Sequence, residues 1–260
     1  MSRRVPALSI LPTIEVNSLQ DYVIEIFSSI QGEGKYVGCR QVFVRFADCN
    51  LRCAYCDTDY RRNKTCSVEK YAGTMHFDEI PNPIGVDDVL ENINRLMKEV
   101  PTQAVSFTGG EPLLHSMFIK KIAAEIDGAK RFLETNGTLP TKLEEVIDAI
   151  DVVSMDIKLP RLIGADFFEQ HREFLKLLRR KEHYVKLVID NEMTHDEFWS
   201  VLDLLVSAAR NTPVIIQPVT PVGMIRAAKP EMILRCQATA SKYLCDVRVI
   251  PQVHRLLAVL

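Results

Sequence analysis

Cys49, Cys53 and Cys56 lie in one run of eight residues, CNLRCAYC, in a chain of 260 residues that has seven cysteines in all. A closed zinc site wants four ligands, usually in two pairs, and Cys39, Cys66, Cys236 and Cys245 offer no second pair at such spacing. A dithiol redox pair would use Cys53 and Cys56 and leave Cys49 unexplained. Three thiolates on one loop can instead hold three irons of a 4Fe-4S cube and leave the fourth iron open to a ligand. This last reading employs all three thiols, and it makes the open iron the point of function. The other four cysteines are expected to be packing thiols.

Further polar groups stand in TGGEP (108–112), ETNG (134–137), SMDIK (154–158) and QPV (217–219). The thiols and these four stretches each follow or close an apolar run that reads as a buried strand. Such runs occupy residues 22–27, 42–46, 104–107, 131–133, 152–155, 184–189, 214–216 and 247–250. Between them, Val86, Val89, Leu90, Ile93, Leu96, Met97 and Val100 follow the i, i+3, i+4, i+7 spacing of a helix buried on one face. Helical spacing also marks 114–126, 142–150, 167–180, 194–209 and 231–244. Regular alternation implies crossover units and a parallel sheet, either open and doubly wound or closed wholly or partly into a barrel. Both architectures collect ligands at the carboxyl ends of the strands, where the five polar stretches fall. Residues 61–84, with Pro81, Pro83 and Cys66, break the alternation and are expected to be an inserted loop. Residues 1–20 are expected to be a flexible N-terminal extension, and 21–260 a single domain.

The composition, 47% hydrophobic and 25% charged, is that of an ordinary globular protein. A formal net charge of -2 provides no global basic field to gather nucleic acid. No run reaches the roughly 18 apolar residues of a membrane helix, and the N-terminal residues lack the apolar core of a signal peptide. An odd, bunched set of cysteines opposes a secreted disulfide scaffold. A soluble, cytoplasmic protein with neither nucleic-acid nor membrane partner is expected.

The C-x-x-x-C-x-x-C spacing, with Tyr55 before the last thiol, and Gly109-Gly110-Glu111 resemble the radical S-adenosylmethionine (SAM) superfamily. The resemblance implies that the methionine amino and carboxylate groups of SAM chelate the open iron, and that one electron cleaves SAM to a 5'-deoxyadenosyl radical. No side chain is assigned the chemical step, which belongs to the cluster and that radical. Two longer stretches, residues 29–60 (beginning SIQGEG and ending CDTDY) and 247–257 (VRVIPQVHRLL), resemble the 7-carboxy-7-deazaguanine synthase family. Its members contract 6-carboxy-5,6,7,8-tetrahydropterin to a deazapurine, with loss of ammonia, on the route to queuosine and related bases.

This resemblance implies an α/β fold with a partial (β/α)6-type TIM-like barrel of parallel strands, here with an N-terminal extension. A pterin with an amide-like edge and a carboxylate wants mixed donors and acceptors plus a cation. The positions implied for it are Ile30, Gln31, Gly32, Glu33, Arg45, Thr108 and His254. Those implied for SAM are Tyr55, Gly110, Glu111, Ser154, Asp156, Lys158, Gln217, Pro218, Val219 and Thr220. The hydroxyl of Thr58 is expected to reach a magnesium ion, with the carboxylates of Asp57 and Asp59 as second choices. Flavodoxin or ferredoxin as electron donor and a homodimeric assembly are further expectations. Two rivals fit less well. An activase of glycyl-radical enzymes would need a protein-docking surface in place of the Q-G-E-G turn. A non-enzymatic iron-sulfur electron carrier would close all four irons and have no use for G-G-E.

Overall fold

The computed structural model describes residues 19–260. Along the chain come β1 (Gln20–Asp21), β2 (Val23–Ile30), β3 (Arg40–Phe46), β4 (Thr65–Glu69), β5 (Phe77–Pro81), β6 (Ile84–Gly85), α1 (Val86–Glu99) and β7 (Ala104–Gly109). Next are α2 (Ser116–Glu125), β8 (Lys130–Thr135), α3 (Pro140–Val146), β9 (Val152–Ile157), α4 (Pro160–Ile163), α5 (Phe168–Leu178) and β10 (Glu182–Ile189). The last are α6 (His195–Ala208), β11 (Val214–Pro218), α7 (Pro230–Ala240), β12 (Val247–Val249) and α8 (Val253–Leu257).

Local sequence explains the individual elements. Helix α1 buries Val89, Ile93 and Leu96, spaced to form one stripe. Helix α6 starts at a capping box in which Thr194 and Glu197 satisfy each other's backbone N–H groups. The β-branched run Val214, Ile215 and Ile216 suits a strand buried on both faces.

A ten-stranded sheet runs in the order β12-β11-β10-β9-β8-β7-β3-β2-β4-β5. All neighbours from β3 to β12 are parallel. The units β3–α1, β7–α2, β8–α3, β9–α5, β10–α6 and β11–α7 form the expected partial barrel, which stays open because β5 and β12 stand at opposite edges.

The structure corrects three expectations. Strand β2, read as parallel, pairs antiparallel with β3, because the short 31–39 connection cannot make the crossover that a parallel pair requires. Residues 61–84 are not simply a loop: β4 adds parallel to β2, and β5 adds antiparallel to β4. Short strands with little apolar run, such as Phe-Asp-Glu-Ile-Pro, hide from a search for periodicity. Of the expected N-terminal extension, residues 1–18 lie outside the described residues, whereas Gln20 pairs with Gly85 in the β1–β6 ribbon.

Side chains on the inner face of the barrel change character from one end to the other. Ala104, Phe132, Val152, Tyr184 and Ile215 form an apolar cluster at the amino ends of their strands. Tyr36 packs beneath it, edge-on to Phe132 at 5.3 Å. Two or four residues further along the same face come Thr108, Glu134, Asp156, Lys186 and Gln217, because successive side chains alternate faces. Register places Arg45 beside Thr108, Glu134 beside Ser154, Asp156 beside Lys186, and Val188 beside Gln217. A slip of one residue would send these polar groups to the helix-facing core.

Candidate active site

The polar strand ends surround a cleft of about 520 Å³. Cys49, Cys53 and Cys56, on the loop after β3, open into it together with Tyr55 and Thr58. So do Ile30, Gln31, Gly32, Glu33, Arg45, Thr108, Gly110, Ser154, Asp156, Lys158, Gln217, Val219, Thr220 and His254. Two expected residues do not line it. Pro218 alternates to the opposite face of β11 from Gln217 and pairs with Ile189. The Glu111 carboxylate is fully buried and turned away from the cleft, accepting bonds from Leu113 N at 3.0 Å, Thr135 Oγ1 at 2.8 Å and Asn136 N at 2.8 Å. Burial pushes it up to about 7, while the bonds from Asn136, Leu113 and Thr135 and the charge of Lys158 pull it down. Glu111 thereby fixes the end of β8 and the turn before α2. Gly109 and Gly110 have their own packing reason. A Cβ on Gly109, at φ +132°, would meet Phe46 O at 2.3 Å, and one on Gly110 would meet Asp48 O at 1.9 Å.

Among the residues expected to take the pterin, Gln31 is 3% exposed and its amide is engaged internally. Its Nε2 donates to Glu134 Oε1 at 2.7 Å, and its Oε1 accepts from Glu33 N at 3.0 Å. Gln31 therefore shapes the turn and aims Glu134, whose carboxylate also accepts from Ser106 Oγ at 3.0 Å and Thr108 Oγ1 at 3.2 Å. Arg45 Nε meets Glu25 Oε1 at 2.5 Å, with both side chains partly exposed to the cleft. The terminal nitrogens of Arg45 form no hydrogen bond among the described residues.

Four charges alternate across the floor, the two lysines buried and the two carboxylates partly exposed. Glu33 pairs with Lys186; Lys186 Nζ stands 3.2 Å from Asp156 Oδ1; Asp156 Oδ2 accepts from Lys158 Nζ at 2.9 Å. Lys158 Nζ then reaches Tyr55 Oη at 3.2 Å, between two of the thiols in sequence. Burial works to raise the Glu33 and Asp156 carboxyls, and the adjacent ammonium groups outweigh it, holding both below the ordinary carboxylate range. Burial likewise works to lower Lys158 and Lys186, but the facing carboxylates hold both well above the usual lysine value.

Glu25, Glu134, Lys186, Gln252 and Arg255 also line the cleft and were given no role from the sequence. Period-2 alternation along the apolar run 184–189 is the signal that could have found Lys186, a charge inside a strand. Helix α8 brings in the C-terminal residues. Val253 N donates to Gly32 O at 2.8 Å, Gln252 Nε2 donates to Glu33 Oε1 at 2.7 Å, and Arg255 pairs with Asp57. Asp59 is engaged by Arg61 at 2.9 Å, so both carboxylates after the thiols already have cationic partners. Among the described residues, the Thr58 hydroxyl forms no hydrogen bond.

The residues fit a cluster and its SAM ligand. Cys49, Cys53 and Cys56 are free thiols facing one space, and burial pushes Cys49 up to about 11 and raises Cys53. No three His, Cys, Asp or Glu side chains converge on a single ion among the described residues. A cube does not require that, since each thiolate takes a different iron. Ser154 Oγ and Gln217 Oε1 are buried at the cleft wall without a hydrogen-bond partner among the described residues, as groups awaiting a polar ligand are.

A family model described as Radical SAM superfamily matches residues 44–205. The fold, the thiol loop and this match place the chain in the radical SAM superfamily. A 7-carboxy-7-deazaguanine synthase of Geobacter sulfurreducens is 37% identical over 236 residues, covering 89% of this chain and 94% of the relative. One of the same name from Methanocaldococcus jannaschii is 36% identical, covering 91% and 99%. The crystal structure of QueE from Escherichia coli superposes with a TM-score of 0.57 at 18% identity, over 90% of this chain and 95% of that one, a likeness of fold. Within the superfamily, the chain belongs to the 7-carboxy-7-deazaguanine synthase family.

Proposed function

We propose that this chain converts 6-carboxy-5,6,7,8-tetrahydropterin to 7-carboxy-7-deazaguanine with loss of ammonia, as a radical SAM lyase. The observation that carries the reading is that Glu33, Glu134 and Arg45 open into the same cleft as the three thiols. When bound there, a 4Fe-4S cluster supplies the electron that cleaves SAM to a 5'-deoxyadenosyl radical. The chain's own residues bind and orient. Glu33 and Glu134 present carboxylates to the N–H groups of the pterin edge; Gln31 bonds the carboxylate of Glu134 and the backbone N–H of Glu33, while Lys186 and Gln252 hold the Glu33 carboxylate. The terminal nitrogens of Arg45 take the pterin carboxylate, while Glu25 fixes the guanidinium through Nε. Asp156, Ser154 and Lys158 face the ribose and methionine carboxylate of SAM, and Gln217 bounds its adenine. Thr58 would offer a hydroxyl oxygen to a magnesium ion, a hard cation that takes oxygen ligands. Glu111 and Pro218 support the cosubstrate wall from behind.

The reductant is a flavodoxin or ferredoxin, and the enzyme acts as a homodimer. No helix of the described residues is long and apolar enough to cross a membrane. The test is anaerobic reconstitution with iron, sulfide, SAM, magnesium, the tetrahydropterin and dithionite. Mass spectrometry should find the deazapurine carboxylate, with 5'-deoxyadenosine release stimulated by the pterin. Release of 5'-deoxyadenosine without any deazapurine would overturn the assigned substrate.

A further inference from the structure

We infer that Lys186 is a positioning residue that couples the pterin half of the cleft to the SAM half, an inference that rests on the reaction proposed above. Lys186 sits in the middle of β10, 6% exposed, with Asp156 of β9 as its register partner. Its ammonium lies between Glu33, on the turn that faces the pterin, and Asp156, on the strand end that faces SAM. No other cation among the described residues contacts Glu33, whose second oxygen is bonded by the neutral amide of Gln252 at 2.7 Å. Asp156 continues the chain to Lys158, and Lys158 continues it to Tyr55 on the thiol loop.

Two carboxylates and two ammonium groups make the set neutral, so it does not exist to attract a charged ligand. What the alternation does is make the positions interdependent. In a buried site, moving one carboxylate away from a shared ammonium leaves the other more tightly held, and the energy of each contact is large where water is excluded. Asp156 Oδ1 lies 3.2 Å from Lys186 Nζ and keeps acceptor capacity, because a carboxylate oxygen has more than one lone pair. A donor from SAM can take that capacity. A pterin N–H that takes up Glu33 then changes how Lys186 divides between the two carboxylates. Pterin and SAM thereby influence one another through a shared ammonium, with no need for direct contact between them.

The test measures binding to cluster-reconstituted protein in its oxidised state, without turnover. Calorimetric titration gives the affinity for the tetrahydropterin with and without saturating SAM, and the ratio is the coupling factor. The unaltered protein should show a factor of about 5 to 150. In Lys186→Met it should fall towards 1, with iron content retained, and Lys186→Arg should recover part of it because a guanidinium can bridge both carboxylates. Where Lys186→Met yields too little folded protein, since it strands two carboxylates, Lys186→Gln keeps a donor, loses the charge and should show the same collapse. A factor near 1 in the unaltered protein, or an undiminished factor in folded Lys186→Met or Lys186→Gln, overturns the inference while leaving the assigned reaction intact. Failure of the unaltered protein to bind the tetrahydropterin at all overturns that reaction, and the inference with it.

Discussion

On the proposed reading each of Cys49, Cys53 and Cys56 supplies one iron ligand that no neighbouring side chain can replace, since the remaining cysteines lie elsewhere in the fold. Cys66 is buried on β4 and Cys236 is buried on α7. Replacing any of the first three by alanine should abolish iron retention and 5'-deoxyadenosine formation, whereas Cys66→Ala and Cys236→Ala should retain both. Iron and sulfide analysis after reconstitution checks this, and full iron loading of a single-thiol variant would remove the cluster assignment. Arg45 is different because it has a protein partner. On the proposed pose, Arg45→Ala would delete charge-assisted bonds to the substrate carboxylate, a loss on the order of 2 to 5 kcal/mol if bound substrate buries that contact. Calorimetry should show pterin affinity weakened by at least ~30-fold. Iron content and slow uncoupled SAM cleavage should survive, because neither uses this guanidinium. Unchanged pterin affinity would reduce Arg45 to the partner of Glu25.

Helix α8 is short, yet it closes one side of the cleft by packing its first turn on the Gln31–Glu33 turn. A Cβ on Gly32 would stand 2.1 Å from His254 Nδ1 and 2.5 Å from His254 Cβ, so the glycine is what permits the approach. Gly32→Ala should displace α8 rather than unfold the barrel, because the bonds it breaks are those of Val253 to Gly32 and Gln252 to Glu33. Faster tryptic cleavage after Arg255 should accompany pterin binding weakened by about tenfold, ~1.4 kcal/mol. The melting temperature should move little. Protease resistance equal to that of the unaltered protein would contradict this account of α8.

Stability of the barrel should depend on pH through His171. It is fully buried on α5, and its Nε2 lies 3.1 Å from Asn136 O at the end of β8. Burial lowers its pKa from the ordinary 6.5 to about 4, so the folded protein holds this imidazole neutral where the unfolded chain would protonate it. The sign follows from linkage: the contribution is fully present above pH 6.5 and is lost as pH falls towards 4, on the order of 3 kcal/mol in total. Urea unfolding at pH 7.5 and pH 4.5 should show a smaller acid loss for His171→Gln, which can still donate to Asn136 O. Equal acid losses in the two proteins would assign the destabilisation to other groups.

The alternation of buried strands and one-sided helices, and the fall of the thiols, TGGEP, ETNG, SMDIK and QPV at strand ends, were legible because both depend on spacing within a short segment. The thiol loop needed nothing more, since its three thiols are neighbours in the chain. Tertiary structure alone decided how the segments answer one another. It turned β2 antiparallel, made a hairpin edge of residues 61–84, and swung the carboxylate of Glu111 inward while leaving that of Glu134 to the cleft. It gave Arg45 its Glu25, Asp57 its Arg255 and Glu33 its Lys186, pairs far apart in sequence. Gln252 reaches Glu33 across 219 residues. Periodicity says which face of an element is buried, but the partner of a buried charge is set by register and by which strands become neighbours, and those depend on packing of the complete sheet.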